Sequence, residues 1–210
     1  MSEAFRLPSP SKIIGIGTNY RKHAIEMGKS VPVVPKVFLK PPSALIANDE
    51  AIVLPPCSER VDFEAELGVV IGRRCRSVGL DDALGVIAGF TCVNDVTARD
   101  HQRADGVFAR AKGFDSFCPV GPRVVADLDP RDLRIQCWVN NVLRQDSRTS
   151  DMIFSVPELI AFVSSVMTLE PGDLICTGTP SGVGPLANGD VVVVEVEGVG
   201  RLSNPVVQGA

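Results

Sequence analysis

Val61-Asp62-Phe63-Glu64-Ala65-Glu66-Leu67-Gly68 runs on into Val69-Val70-Ile71-Gly72. In an extended chain the side chains alternate, so Phe63, Ala65 and Leu67 share one face and Asp62, Glu64 and Glu66 the other. Successive acids then stand about 6.6 Å apart at Cα on the same side. Alone, such a stripe is a solvated strand face. Two features point elsewhere. The Val-Val-Ile continuation reads as a strand buried on both faces. A further acid, Asp95, ends a second apolar stretch that runs from Val86 to Asn94. Carboxylates that converge at the inner ends of buried strands need a compensating charge. Hard oxygen donors select Mg²⁺, with Mn²⁺ or Ca²⁺ as alternatives.

The composition fits a domain with an aliphatic core. Of 210 residues, 45% are hydrophobic but only 5% aromatic, so Val, Ile, Leu and Ala must supply most of the packing. A net charge of −4 and the lack of any basic run argue against nucleic acid as a partner. The N-terminus has no basic-then-apolar signal pattern and no apolar run reaches membrane-spanning length, which predicts a cytoplasmic protein away from membranes. Six cysteines without a C-x-x-C pair read as reduced thiols. Nineteen glycines and sixteen prolines favour many short elements.

Working outward, residues 1–11 form a Pro- and Ser-rich lead-in, and residues 12–210 a single α+β domain, rich in mostly antiparallel strands. Lys12–Gly17 reads as a short buried strand. Asn19 is positioned to cap a helix that carries His23 and Glu26 and stops at Gly28. Three residues apart, His23 and Glu26 share a helical face and can hydrogen-bond. Leu80–Leu84 reads as a capped helical turn. After Asp95 the pattern predicts a helix over 96–103, with Asp95, Arg99 and Gln102 on one face at i, i+4, i+7. His101 lies off that face. Lys112 is a single lysine in an apolar loop and needs a negative partner. Asn140-Asn141 predicts a two-residue hairpin turn, and Ser155-Val156-Pro157-Glu158 a capping box. The Gly-rich loop Thr177–Gly184 lacks the ending of a phosphate-binding loop, but its amides can hold a carboxylate.

Five motifs in this order resemble the fumarylacetoacetate hydrolase family over residues 12–207. They are Asn19-Tyr20-x-x-His23-x-x-Glu26, Asp62–Leu67, Asn94–Arg99, Lys112–Asp115 and Thr177–Gly184. The resemblance implies a strand-rich mixed β-roll or pseudo-barrel, a homodimer, and a divalent metal held by Glu64, Glu66 and Asp95. It also implies a water-activating pair at His23 and Glu26, and substrate contacts from Arg99, Gln102, Lys112 and Thr179. The fumarylacetoacetase branch carries a further acidic ligand ahead of the histidine, where this chain has Thr18-Asn19. That points to the small acylpyruvase-like branch.

The expected substrate is a small 2-oxo acid. Three carboxylates leave about three open positions on an octahedral Mg²⁺, two of which a 2-oxo acid can fill. The expected activity is hydrolysis of the C–C bond in a 2,4-dioxo acid of the acylpyruvate or fumarylpyruvate type, giving pyruvate and a carboxylic acid. Lys112 would serve the developing oxyanion. The alternatives share the enolate: decarboxylation of oxaloacetate or another β-keto acid, or isomerisation of a 2-hydroxy-dienedioate in aromatic catabolism. A catalytically silent metal-binding module is the remaining reading.

Overall fold

Short alternating segments separated by Gly and Pro can bury their apolar faces only by joining sheets. The computed structural model describes residues 9–210 and gathers those segments into three sheets. The largest has the spatial order β2 (Lys36–Lys40), β1 (Ile13–Gly17), β12 (Leu174–Cys176), β6 (Ala65–Ile71), β7 (Ile87–Asn94), β9 (Cys118–Val125), β3 (Leu45–Ile46). The second runs β11 (Val142–Arg148), β10 (Arg134–Val139), β14 (Val191–Val196), β15 (Gly200–Gln208), β4 (Ile52–Leu54). A small third sheet joins β13 (Gly184–Pro185), β5 (Val61–Phe63) and β8 (Thr97–Ala98). Most pairs are antiparallel; β1–β12, β3–β9 and β4–β15 are parallel. The large sheet curls into a half-barrel, the strand-rich α+β roll the sequence predicts.

Both faces of β6 are buried, as its Val-Val-Ile run requires. Ala65, Leu67, Val69 and Ile71 enter the larger apolar cluster, with Ile135, Val194 and Leu202 of the second sheet. Leu159, Ile160 and Val163 of helix α4 (Val156–Val166) join the same cluster. Val70 points the other way, to Ile13, Val93, Val120 and Leu174. Each Val, Leu or Ile among them contributes about 1.5–3 kcal/mol on burial. The core is mainly aliphatic, with Phe63, Phe90 and Phe117 its buried phenylalanines. All six cysteines are free thiols, and among the described residues no helix is long and apolar enough to cross a membrane.

Local expectations hold where short-range chemistry decides them. Asn140 and Asn141 take φ of 52° and 64°, the left-handed pair of a tight hairpin. The Ser155 amide donates to the Glu158 carboxylate at 2.7 Å, one arm of the capping box. Other expectations yield to tertiary pairing. The strand expected over 61–72 divides at Glu64, whose amide donates to the Asn94 side chain at 2.9 Å instead of a ladder carbonyl. The chain changes sheets there. The helix expected from Val96 starts at Arg99, because Thr97 and Ala98 pair with Asp62 and Val61. Asp95 therefore lies outside helix α2 (Arg99–Asp105), and its helical spacing to Arg99 is a coincidence of numbering. Lys112 ends a helical turn, α3 (Ala109–Lys112), rather than lying in a loop. The turn after Leu80 is a 3₁₀ turn over Ala83–Val86 without a side-chain cap. Residues 1–8 of the lead-in lie outside the described residues, but its end is held: Ser11 Oγ and the Lys12 amide donate to Asp173 at 2.7 and 3.1 Å.

Candidate active site

The register of β6 against β7 sets Ala65 opposite Asn94 and Glu66 opposite Val93. The start of one strand thus meets the end of the other, and Glu64, Glu66 and Asp95 converge. One oxygen from each lies within 4.8 Å of the others, and all three residues are buried. Two full charges at that separation repel by about 3.5 kcal/mol at an effective dielectric constant of 20. Cations must offset this. Lys112 Nζ donates to Glu64 at 2.7 Å and also to Asp95. Lys40 Nζ donates to the other Asp95 oxygen at 2.7 Å. Arg99 reaches Asp62 through Nε at 2.8 Å, Glu64 through Nη2, and Gln102 through Nη1 at 3.1 Å.

Among the described residues no cation bonds Glu66. Its hydrogen bond comes from the Gly178 amide, at 2.8 Å. The two glutamates consequently diverge. Burial opposes ionisation of Glu64, but the Lys112 and Arg99 charges overcome it and hold that carboxyl well below its ordinary range. Burial raises Glu66 far above its ordinary value, and the Asp95 and Glu64 charges add to the shift. Burial also opposes the charge on Lys112, yet Asp95 and Glu64 keep its ammonium more firmly protonated than usual. A buried acid without a counter-charge beside two other carboxylates fits a hard divalent cation. Each carboxylate has about four acceptor positions, so the bonds above leave lone pairs for an ion.

Helix α1 (Arg21–Glu26) carries the pair expected from its i, i+3 spacing. His23 Nδ1 lies 2.9 Å from the Glu26 carboxylate, and the other Glu26 oxygen accepts the Gly182 amide at 2.9 Å. His23 is near enough to Glu64 to interact with it electrostatically, which sets the pair beside the acids. Asn19 does not cap α1. Its side chain donates to the Thr177 and Phe154 carbonyls at 2.8 and 3.0 Å and accepts the Phe154 amide at 2.8 Å. A cap would need one local bond; this clamp makes three distant ones and fixes where α1 begins.

The Gly-rich loop explains its own composition. A Cβ at Gly178 would stand 2.6 Å from Asn19 Cβ, and one at Gly182 would stand 2.2 Å from the Arg144 carbonyl oxygen. Both glycines also have φ near +100°. Their amides do hold carboxylates, but the protein's own, Glu66 and Glu26. Thr179 Oγ1 accepts the Gln145 amide at 2.8 Å, which leaves the hydroxyl hydrogen free to donate. Gln145 also accepts the Ala65 amide at 3.0 Å, which ties the second sheet to the start of β6.

Glu64, Asp95, Lys112, Arg99 and Gln102 thus form one bonded cluster, with Glu66 beside it and His23–Glu26 and Thr179 nearby. His101 stands apart, its ring 5.8 Å from that of Phe114. Sequence reasoning missed Lys40, Gln145 and the part played by Asp62. Lys40 precedes Pro41-Pro42 and reads as a turn, yet it closes β2 at 2% exposure. The curl of the sheet carries it from an edge strand to Asp95.

Fold and site together define a class of protein. Residues 12–207 match the model of the fumarylacetoacetate (FAA) hydrolase C-terminal domain, and the chain belongs to that family. A mitochondrial oxaloacetate tautomerase of Bos taurus is 44% identical over 210 residues, covering 94% of this chain and 67% of its own. The crystal structure of a 5-carboxymethyl-2-hydroxymuconate delta-isomerase from Mycobacterium smegmatis superposes with a TM-score of 0.91 at 49% identity, covering 99% of this chain and 82% of that one. Maleylpyruvate hydrolase from Sphingobium sp. SYK-6, in complex with manganese(II) and pyruvate, superposes with a TM-score of 0.84 at 40% identity, covering 97% and 72%.

Proposed function

We propose that this enzyme hydrolyses the C–C bond of a 2,4-dioxo acid, with a divalent metal, to give pyruvate and a carboxylic acid. The observation that carries this reading is the pairing of two separate devices. The acidic triad lies near a His–Glu pair that, among the described residues, shares no hydrogen bond with it, and whose carboxylate is braced by the Gly182 amide. Proton transfer on an enolate needs the first device; attack by water needs both. The hydrolase with bound manganese and pyruvate shows the family's fold in such company.

A divalent ion held by Glu64, Glu66 and Asp95 supplies positive charge for the 2-oxo acid head and stabilises negative charge that develops there. An ionised Glu26 can only accept a hydrogen bond, so His23 donates its Nδ1–H and presents the Nε2 lone pair. His23 takes a proton from water as the water oxygen bonds C4. The C3–C4 bond breaks with its electron pair going to C3, which then gains a proton. Lys112 holds a buried positive charge beside the reacting oxygens. Thr179 offers its hydroxyl to the substrate carboxylate, and Arg99 with Gln102 forms the wall beyond.

The second reading is enolate chemistry without water attack, that is decarboxylation, tautomerisation or isomerisation, the last two favoured by the names of two relatives. His23→Ala separates the two. Loss of a positioned base costs about two to four orders of magnitude in the step that uses it. Acylpyruvate cleavage should fall by that much, while oxaloacetate decarboxylation, which needs no water attack, should fall far less. Equal loss of both would move His23 to a shared proton transfer and support the second reading.

A further inference from the structure

We propose that Arg60 and Arg103 form a subsite for a second carboxylate at the far end of the substrate, so that the enzyme selects dicarboxylic 2-oxo acids. The proposal rests on the 2-oxo acid reading above and names its substrate class. A cavity of about 290 Å³ opens beside Glu26. Five of its seven lining residues are charged: the guanidiniums of Arg60, Arg99 and Arg103 and the carboxylates of Glu26 and Asp62. Met27 and Val183 complete it.

Most of these charges are already committed. Asp62 accepts Arg60 at 2.9 and 3.2 Å and Arg99 at 2.8 Å. Arg99 spends its remaining nitrogens on Glu64 and Gln102. Glu26 is taken up by His23 and the Gly182 amide. Arg103 has no hydrogen-bond or ion-pair partner among the described residues, and Arg60 keeps Nη1 free. Three guanidiniums against two carboxylates leave the cavity one positive charge in excess.

The two free donors line the same cavity. The Arg99 amide donates to the Arg60 carbonyl at 2.8 Å, which fixes the start of α2 against the residue just ahead of β5. Arg103 follows Arg99 by one helical turn and so projects from the same face. An alkyl tail entering here would strip water from charged groups and return nothing. A carboxylate would gain a charge-assisted, two-pronged contact. The volume is at the small end for a ligand cavity, so the chain bearing that carboxylate is short. A positive excess there, on a chain of net charge −4, draws anions inward.

The test compares two probes of equal length in Mg²⁺ buffer by titration calorimetry: 2-oxoglutarate, with a distal carboxylate, and 2-oxopentanoate, with a distal methyl. A hydrogen bond to a charged group predicts that the parent binds 2-oxoglutarate about 10- to 100-fold more tightly. Arg103→Gln should cut that preference to threefold or less while leaving the affinity for 2-oxopentanoate unchanged. Arg103 is exposed, so folding should survive, and an unchanged melting temperature checks that. A parent that does not prefer 2-oxoglutarate, or a variant that weakens both probes alike, overturns the proposal. Failure to cleave any acylpyruvate with the preference intact would refute the hydrolase reading and leave the subsite standing.

Discussion

Glu66→Gln isolates the missing counter-charge. The amide keeps the shape of the side chain, and its oxygen can still accept the Gly178 amide, a bond of 2.8 Å in the parent. An ionised Glu66 would face Glu64 and Asp95 across no more than 4.8 Å, at a cost of about 3.5 kcal/mol for each at an effective dielectric constant of 20. Burial and the neighbouring carboxylates drive Glu66 of the metal-free protein toward its protonated form, which lowers that cost. Exchanging a neutral acid for a neutral amide should therefore leave the melting temperature in EDTA within about 2 °C of the parent, since a chain of this length shifts about 2–4 °C per kcal/mol. Metal changes the comparison. At 100 times its Kd, Mg²⁺ or Mn²⁺ stabilises a protein by about 2.7 kcal/mol, or about 5–11 °C here. The parent should show that rise in thermal unfolding followed by circular dichroism, and the variant less than about 2 °C of it. A drop beyond about 5 °C in EDTA would make Glu66 a structural acid. A metal-induced rise as large as the parent's would remove it from the ligand set.

Two further outcomes follow from buried charges outside that residue. Lys40 is 2% exposed and bonds Asp95, so Lys40→Met leaves a buried carboxylate short of a partner and should cost about 3–5 kcal/mol in urea unfolding. A loss under 1 kcal/mol would mean Lys112 alone suffices for Asp95. Burial opposes ionisation of Asp173, but the Glu170 amide, Lys12 and Ser11 prevail and hold it below its ordinary value. A depressed carboxyl contributes stability above its unfolded pKa of about 3.9 and loses it as pH falls through the folded value. The stability gap between the parent and Asp173→Asn should thus be flat from pH 7 to about 5 and close below about 4; a gap independent of pH would show that the charge is irrelevant.

How much of this was legible from residues alone depended on the range of the interactions. Glu64, Glu66 and Asp95 stand out because acids inside apolar strands have few bland explanations. His23–Glu26 is legible because its bond spans three residues. The helix expected over 96–103 failed because Thr97 and Ala98 pair with β5, more than thirty residues back in the sequence, and that pairing outweighs local helical pattern. Asn19 failed for the same reason: its partners sit at 154 and 177, and no local rule points to them. Lys40 and Gln145 were invisible because the curl of one sheet and the apposition of two bring them in. Polar residues occur on both faces of β11, so nothing in its pattern marks Gln145 as the one that turns inward.

The central claim is metal-dependent cleavage of a C–C bond, and pyruvate release measures it most directly. Protein stripped with EDTA is given a dicarboxylic acylpyruvate, with and without added Mg²⁺ or Mn²⁺, and both products are quantified. The account predicts pyruvate and the matching carboxylic acid in equal amounts, only with metal present, and none from Glu66→Gln. Undiminished release in EDTA, or metal-dependent conversion of the substrate without any pyruvate, would contradict it.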